Sequence, residues 1–164
     1  MRRAYHNHLI AVLICASLLS VSAFAQKKAT HEKTGGTAGL DKAYLQKIWD
    51  GWGGLDGSKQ ADFYAKGPHL FFDVAPLKYN NFDEYAAGVN KEFGDYSGAK
   101  FVLNDDTEIH PVGADHAWVA STVKADMTRK NGKRELSTMR WTAIFHKDGG
   151  KWLIIHEHVS EPAQ

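Results

Sequence analysis

The sequence has little cysteine, no long hydrophobic run and no surplus of charge of either sign. Cys15 is the only cysteine, so no second thiol is available for an intramolecular disulfide, and we expect the segment that carries it to be removed. Lysine and arginine number 20 against 19 aspartate and glutamate residues, which leaves no basic surplus for a phosphate backbone. These absences argue against a nucleic-acid partner, thiolate catalysis and cysteine-ligated zinc.

The longest apolar run lies at the N-terminus and is short for a bilayer span. Arg2 and Arg3 precede it, it extends from Leu9 to about Val21, and the small residues Ala23 and Ala25 follow. This order is typical of a secretory signal peptide, so residues 1–25 are predicted to be cleaved off. The alternative is an uncleaved anchor. Cleavage predicts a periplasmic or secreted protein without a membrane partner.

The rest of the chain is predicted to form a flexible tether, residues 26–39, and one domain, residues 40–162. The tether is polar and rich in glycine and threonine. Asp41 is placed to cap a first helix, Ser58 a second short helix, and Asn81 a third. The first and third helices have apolar residues at three- and four-residue spacing, namely Tyr44, Leu45, Ile48, Trp49 and Trp52, then Phe82, Tyr85, Ala86, Val89 and Phe93.

From Gly98 onward the apolar period changes to two, which predicts strands. They are Ala99–Ile109, Ala117–Arg129, Lys133–Lys147 and Lys151–Ser160, with turn residues at each joint; a further short strand lies in the aromatic segment 68–76. Helices followed by a long antiparallel meander predict an α+β fold in which the helices cover one face of a curved sheet.

Two segments resemble the SnoaL-like family, which is related to ketosteroid isomerases and to the calcium/calmodulin-dependent kinase association domain. The segment "FFDVAPLKYNNFDEYAAGVNKEF" is similar to a strand-to-helix motif of the family through Asp73, Pro76, Leu77 and Tyr85. The segment "MRWTAIFHKDGGKWLIIHEHVS" is similar to its last two strands through Arg140, Trp141, Thr142, Gly149, Gly150, Trp152, His156, His158 and Ser160. The resemblance implies the cone-shaped nuclear transport factor 2-like fold and a homodimer formed through the sheet, but it does not fix an activity.

His156 and His158 lie two residues apart on a predicted strand, so both side chains project from one face. Their rings would lie roughly 6–7 Å apart, which a shared metal ion could bridge. The sequence shows no motif that supplies a third ligand, so we predict neither a metal site nor a cofactor. Two interpretations stay open: polar residues that line a cavity, and a general acid or base.

The loop at Asp148-Gly149-Gly150 decides which residues share the histidine face. A three-residue loop, which we favour, pairs Thr142 with His156 and Arg140 with His158. A two-residue loop reverses the faces, so that the histidines lie beside Trp141 and Phe145 and Arg140 pairs with Glu157.

The Asn131-Gly132 pair predicts a two-residue hairpin loop. That loop places Val123 opposite Arg140, Ser121 opposite Thr142 and Val119 opposite Ile144, and the small partners leave room for a cavity above Arg140. On the other face it pairs Trp118 with Phe145 and Thr122 with Trp141, a bulky stripe typical of a packed surface.

Asp73 ends an aromatic strand and has two interpretations. Beside Phe71 and Phe72 its carboxylate would have a raised pKa and could take a proton from a carbon next to a carbonyl. The alternative, which we favour, is that it accepts backbone N–H groups at the turn. Trp49 is predicted to pack in the core; a ring surface that contacts a ligand is the secondary interpretation.

The sequence therefore predicts an exported small-molecule-binding protein with an aromatic-lined pocket. Its predicted ligand-binding residues are Arg140, Thr142, Ser121, Tyr85 and Trp49, and the ligand is a small apolar or carbonyl-containing molecule. One alternative is an isomerase- or hydrolase-like enzyme with Asp73, His156 or His158 as the acid or base and Arg140 stabilising negative charge. Another is a non-catalytic dimeric assembly module.

Overall fold

The computed structural model describes residues 36–74 and 76–163, which belong to one compact unit. The predicted signal peptide, residues 1–25, and residues 26–35 of the predicted tether lie outside this part. Within the remainder of the tether, the carbonyl of Ala38 accepts a hydrogen bond from Trp152 Nε1 at 3.1 Å. None of the helices in the described ranges is long and apolar enough to cross a membrane.

Two α-helices form where the apolar spacing and the capping residues predict them. Helix α1, Lys42–Trp52, starts after Asp41, whose side chain accepts from the Tyr44 N–H at 2.8 Å. Helix α2, Phe82–Phe93, starts after Asn81, whose side chain accepts from the Glu84 N–H at 2.9 Å. Each cap satisfies a backbone donor that the first turn leaves open, a contribution of about 1 kcal/mol.

The second predicted helix is a 3₁₀ helix, Gly57–Phe63, and Ser58 is not its cap. Asp56 occupies the cap position, and its Oδ1 accepts from both the N–H of Ser58, at 3.2 Å, and the Ser58 hydroxyl, at 2.6 Å. The prediction of Ser58 as the cap is wrong because the carboxylate two residues earlier accepts the open donor.

In the described ranges, six strands form one mostly antiparallel sheet, in the order β1-β6-β5-β4-β2 with β3 also paired to β4. Of these strands, β1 pairs with β6 in parallel. The strands are β1 Phe71–Phe72, β2 Tyr96–Leu103, β3 Glu108–Val112, β4 His116–Arg129, β5 Arg134–Asp148 and β6 Lys151–Ser160. The α+β cone fold expected from the sequence is confirmed.

The predicted strand Ala99–Ile109 is interrupted and becomes β2 and β3. Asp106 causes the break, because its carboxylate accepts from the backbone N–H of Thr122 at 3.0 Å and from its hydroxyl at 2.6 Å. The Thr107 hydroxyl also donates to the carbonyl of Asn104 at 2.8 Å. These side chains replace ladder hydrogen bonds, so the backbone turns between two segments that both pair with β4.

The β4–β5 hairpin has a three-residue loop, Lys130 to Gly132, rather than the predicted two-residue loop. The Arg129 N–H donates to the Lys133 carbonyl at 2.8 Å, and Gly132 has φ +85°, as in a type I turn followed by a left-handed residue. The extra residue shifts the register by one. Arg140 therefore lies opposite Thr122 and Trp141 opposite Ser121, and the predicted partners Val123–Arg140, Ser121–Thr142, Val119–Ile144, Trp118–Phe145 and Thr122–Trp141 are wrong.

The loop of the β5–β6 hairpin, by contrast, is one residue shorter than predicted. Asp148 pairs with Lys151 across a two-residue loop in which Gly149 and Gly150 both have positive φ, so the favoured three-residue loop is wrong. A register shift then follows: Phe145 pairs with Ile154, but Ile144 pairs with His156. Ile155 is the extra residue of a β-bulge.

The bulge restores a shared face for Arg140, Thr142 and the two histidines, with partners other than those predicted. Thr142 pairs with His158, and Arg140 pairs with Ser160. This face is the outer one, since Arg140, Thr142 and His158 are exposed. The alternating residues of β5, namely Met139, Trp141, Ala143 and Phe145, are buried on the inner face that the helices cover.

Candidate functional site

A cavity of about 220 Å³ lies between the two α-helices and the inner face of the sheet. Six aromatic rings line it, from α1, α2 and β2: Trp49, Trp52, Tyr85, Phe93, Tyr96 and Phe101. The rings come together because the three- and four-residue spacing of the helices points them at the sheet. Valine, alanine and methionine side chains complete an apolar wall.

The polar groups of the cavity lining are mostly acidic. Asp73, Glu92 and Glu161 contribute carboxylates and Ser137 a hydroxyl. Among the described residues no lysine, arginine or histidine lines this cavity, and no ion pair joins any of the three carboxylates to a cation. The cavity thus combines aromatic faces with uncompensated negative charge.

Asp73 reaches the cavity because β1 is only two residues long and ends beside β6. Its Oδ1 accepts from the N–H of Val74 at 2.7 Å, which is the turn contact that the sequence favours. The pKa of Asp73 is raised to about 6, mainly by burial and to a smaller extent by the charges of Glu92 and Glu161, against the lowering effect of the Val74 N–H. The two interpretations of Asp73 are therefore compatible in one position.

Glu157 lies on the inner face of β6, is 1% exposed, and was missed as a site residue from the sequence. Its carboxylate accepts from the Tyr64 hydroxyl at 3.0 and 3.1 Å and from Trp141 Nε1 at 2.9 Å. Tyr85, which lines the cavity, also hydrogen-bonds to it. Burial raises the pKa of Glu157 to about 7, although these three hydrogen bonds oppose the rise.

Trp49 packs edge-on against Trp141, with ring centroids 5.5 Å apart, and is 5% exposed. Its Nε1 is shielded from solvent and has no hydrogen-bond partner in the part of the chain that the structure describes. A buried donor of this kind is uncommon in native proteins. Trp49 thus lines the cavity with its ring while its N–H stays unpaired among the described residues.

The structure brings three of the predicted site residues together: Asp73, Tyr85 and Trp49 all line the cavity. Arg140 and Thr142 do not, because the register of both hairpins turns them to the outer face, where Arg140 Nη2 donates to the carbonyl of Glu161 at 2.8 Å. Ser121 is buried on the inner face and bonds to the hydroxyl of Thr107 at 2.8 Å, outside the cavity lining.

His156 and His158 also lie outside the cavity. The ring of Phe72 packs edge-on against both, with centroids 5.4 and 5.8 Å away. His156 Nδ1 is 2.8 Å from the carbonyl oxygen of Leu70, so this histidine joins β6 to the segment before β1. Neither histidine belongs to a group of three ligand residues within the described ranges.

A model of the SnoaL-like domain matches residues 62–164. None of the curated proteins compared with the chain matches it. Among solved structures, a proposed calcium/calmodulin dependent protein kinase II association domain from Xanthomonas campestris is similar, with 23% identity, a TM-score of 0.66, and 74% of this chain and 85% of the other covered.

Two further structures share the fold. A nuclear transport factor 2-like superfamily protein from Salmonella enterica has 19% identity and a TM-score of 0.64 over 75% of this chain and 92% of its own. A ketosteroid isomerase-like protein from Erwinia carotovora has 16% identity and a TM-score of 0.64 over 78% of this chain and 97% of its own.

Proposed function

Because the chain belongs to the SnoaL-like domain family, we propose that it binds a small, partly apolar organic molecule in the cavity between its helices and sheet. The cavity itself is the observation that carries the proposal. It offers about 220 Å³, six aromatic rings and a few convergent polar groups, the usual composition of a small-molecule site.

The charge of the lining narrows the ligand to a neutral or positively charged molecule. Asp73, Glu92 and Glu161 repel an anion, and no basic side chain of the described residues compensates them in this cavity. Aromatic faces attract a cation through the ring quadrupole. A protonated amine is therefore attracted both by the aromatic rings and by the carboxylates of the lining. A carboxylate ligand would leave like charges close together.

Calorimetric titration with three naphthalene probes tests this proposal: 1-naphthylmethanol, 1-naphthylmethylamine and 1-naphthoate. We expect the alcohol and the amine to bind more than about tenfold more tightly than the carboxylate, because like-charge contacts cost at least the 1.4 kcal/mol that a factor of ten represents. Equal binding of all three would contradict the charge argument.

A pair of neighbouring variants locates the binding. Ser137 lines the cavity and Thr138 does not, and both are exposed, so a tryptophan at either position leaves the core intact. We expect Ser137→Trp to weaken binding of the amine and Thr138→Trp to leave it unchanged. Binding that is the same in both variants would place the ligand elsewhere.

A second candidate function is acid–base catalysis, and the position of Asp73 favours it. A carboxylate with a pKa of about 6 beside an apolar cavity is mostly ionised at neutral pH and still basic enough to take a proton from a carbon next to a carbonyl. The similarity to a structure named ketosteroid isomerase-like supports the same chemistry. Arg140, on the outer face, has no part in this version.

Deuterium exchange into 2-tetralone, followed by NMR in heavy water, tests the catalytic candidate. We expect the protein to accelerate exchange next to the carbonyl, Asp73→Asn to abolish the acceleration, and His158→Ala to retain it because this side chain is exposed on the outer face. Naphthylmethanol binding by Asp73→Asn checks that the cavity survives. Exchange at the wild-type rate in Asp73→Asn would rule out this role.

A further inference from the structure

Three metal-ligating side chains meet at an end of the sheet remote from the cavity. Asp115 belongs to the turn between β3 and β4, His116 begins β4, and His146 lies near the end of β5. Along β4, His116 is nine residues from the cavity-lining Ala125, a separation of about 30 Å in an extended strand. The cluster is therefore separate from the site described above.

The backbone holds the three side chains close together. His116 and His146 are direct partners across the β4–β5 ladder, and their ring centroids are 4.5 Å apart. The Lys147 N–H donates to the Asp115 carbonyl at 2.7 Å, which fixes the turn against β5. Each side chain offers one ligand atom, and the three atoms lie within 4.8 Å of one another.

One nitrogen of this cluster lacks a partner. His146 Nδ1 is shielded from solvent and makes no hydrogen bond within the described ranges. A buried imidazole nitrogen without a partner loses its interaction with water and gains nothing in return. Asp115 and His116, by contrast, bond to each other through Oδ1 and Nδ1 at 2.7 Å. The unsatisfied atom thus lies beside two groups that bind metals.

We propose that Asp115, His116 and His146 form a binding site for one divalent transition-metal ion, of which Zn²⁺ suits the ligands best. Two imidazoles and one carboxylate are a frequent Zn²⁺ ligand set, whereas Ca²⁺ and Mg²⁺ prefer oxygen ligands alone. Bond lengths of about 2.0–2.2 Å place tetrahedral ligand atoms roughly 3.3 Å apart. The ligand atoms lie within 4.8 Å of one another, so the widest separation has to shorten by about 1.5 Å when the ion binds.

Three protein ligands leave a fourth coordination position, and the site is open to solvent on one side. The side chains of His116 and Asp115 are 41% and 58% exposed. A metal ion can therefore enter without unfolding, and water completes its coordination. Because the ligands come from the β3–β4 turn, the start of β4 and the end of β5, a bound ion ties these segments together.

Titration of Zn²⁺ into the full chain, first freed of metal by a chelator and dialysed, tests the proposal. Native mass spectrometry and calorimetry should show binding of a Zn²⁺ ion. We expect His116→Ala and His146→Ala each to lower the affinity for this ion by more than about tenfold. The matched control is the double variant His156→Ala/His158→Ala, which should bind as the wild type does. No Zn²⁺ binding by the wild type, or undiminished binding in His146→Ala, would overturn the proposal.

A further variant guards against misfolding. Asp115 is an exposed turn residue, so Asp115→Asn should leave the far-ultraviolet circular dichroism unchanged and still reduce Zn²⁺ affinity. Co²⁺ gives a second readout, since its visible absorption depends on the ligands. Visible bands typical of four-coordinate Co²⁺ in the wild type, lost in Asp115→Asn, support the site; identical spectra in both proteins contradict it.

Discussion

At the scale of single residues, Glu157 is a carboxyl group buried in the core, 1% exposed. It is a fully buried carboxyl group among Tyr64, Tyr85 and Trp141, with donors for its oxygens but no cation. Hydrogen bonds from neutral donors reduce the cost of burying the charge but do not remove it. The protonated form is therefore favoured more strongly in the folded state than in the unfolded chain.

Because Glu157 is protonated more readily in the folded state than in the unfolded chain, the free energy of unfolding depends on pH. The folded pKa of about 7 exceeds the ordinary value of 4.5, so the folded state binds more protons between these values. The contribution of Glu157 is complete below pH 4.5, is lost as pH rises toward 7, and amounts to at most about 3 kcal/mol. We expect Glu157→Gln, measured by urea unfolding across this range, to flatten the dependence.

Glu135→Gln is the matched control, because the half-buried carboxylate of Glu135 has a pKa lowered to about 2 by hydrogen bonds from Arg129, Lys133 and Tyr96. A lowered pKa gives stability that is present above the ordinary value and lost only as pH falls toward 2. Glu135→Gln should therefore keep the wild-type slope between pH 4.5 and 7. Identical slopes for Glu157→Gln and wild type would contradict a raised pKa at Glu157.

At the scale of elements, the β4–β5 loop determines which side chains face the cavity. Gly132 has φ +85° in this loop, and a Cβ there would meet no atom within 4 Å. We expect Gly132→Ala to lower the free energy of unfolding by about 1 kcal/mol through backbone strain alone. Urea denaturation measures this change.

Gly98→Ala is the control for this loop variant. Gly98 also has open space around its Cβ, but it lies in β2 without a positive φ. A residue other than glycine is tolerated there, so the change in stability should stay within about 0.5 kcal/mol. Equal losses in the two variants would show that the left-handed conformation is not the cause.

The loops also mark the limit of what the sequence predicts. Helices α1 and α2 were predicted with their caps because capping and apolar spacing are local properties. Asn131-Gly132, however, fits both a two-residue and a three-residue loop, and one residue reverses every side chain of the following strand. The β-bulge at Ile155 has no signal in its own residue type.

The residues of the candidate site also divide into those that local patterns predict and those that depend on strand register. Helical spacing put Trp49 and Tyr85 on the apolar faces of the first and third predicted helices, and the aromatic segment put Asp73 at a strand end; the structure turns all three toward the cavity. Arg140 and Thr142 were assigned through a strand register that was wrong by one residue. Glu157 was missed because its burial depends on that register and on the bulge together.

At the scale of the whole molecule, the outer sheet face carries apolar side chains that the helices do not cover. Trp118 and Ile144 are cross-strand partners, each 38% exposed, and Leu136 is 69% exposed. We propose that a second copy of the chain covers this face in a homodimer. Native mass spectrometry should show a dimer that Trp118→Glu/Ile144→Glu converts to a monomer, whereas Lys91→Glu on α2 stays dimeric.

Export is also a property of the whole chain. We propose that residues 1–25 direct the protein out of the cytoplasm and are then removed. The intact mass of the protein recovered from a bacterial periplasm should correspond to a chain that starts at Gln26. A chain that keeps Met1 and stays with the membrane fraction would instead support the uncleaved anchor.

The bulge at Ile155 has a consequence for how β6 tolerates change. Before it, Trp152 and Ile154 face inward; after it, Glu157 and Val159 do. A saturation mutagenesis profile along this strand should therefore be intolerant at 152, 154, 157 and 159. Two outward positions lie side by side at 155 and 156, and 155 should be the more permissive because His156 contacts the carbonyl of Leu70. Deleting Ile155 would remove the bulge and make the alternation regular, so that Ile154, Glu157 and Val159 would still face inward and both histidines outward.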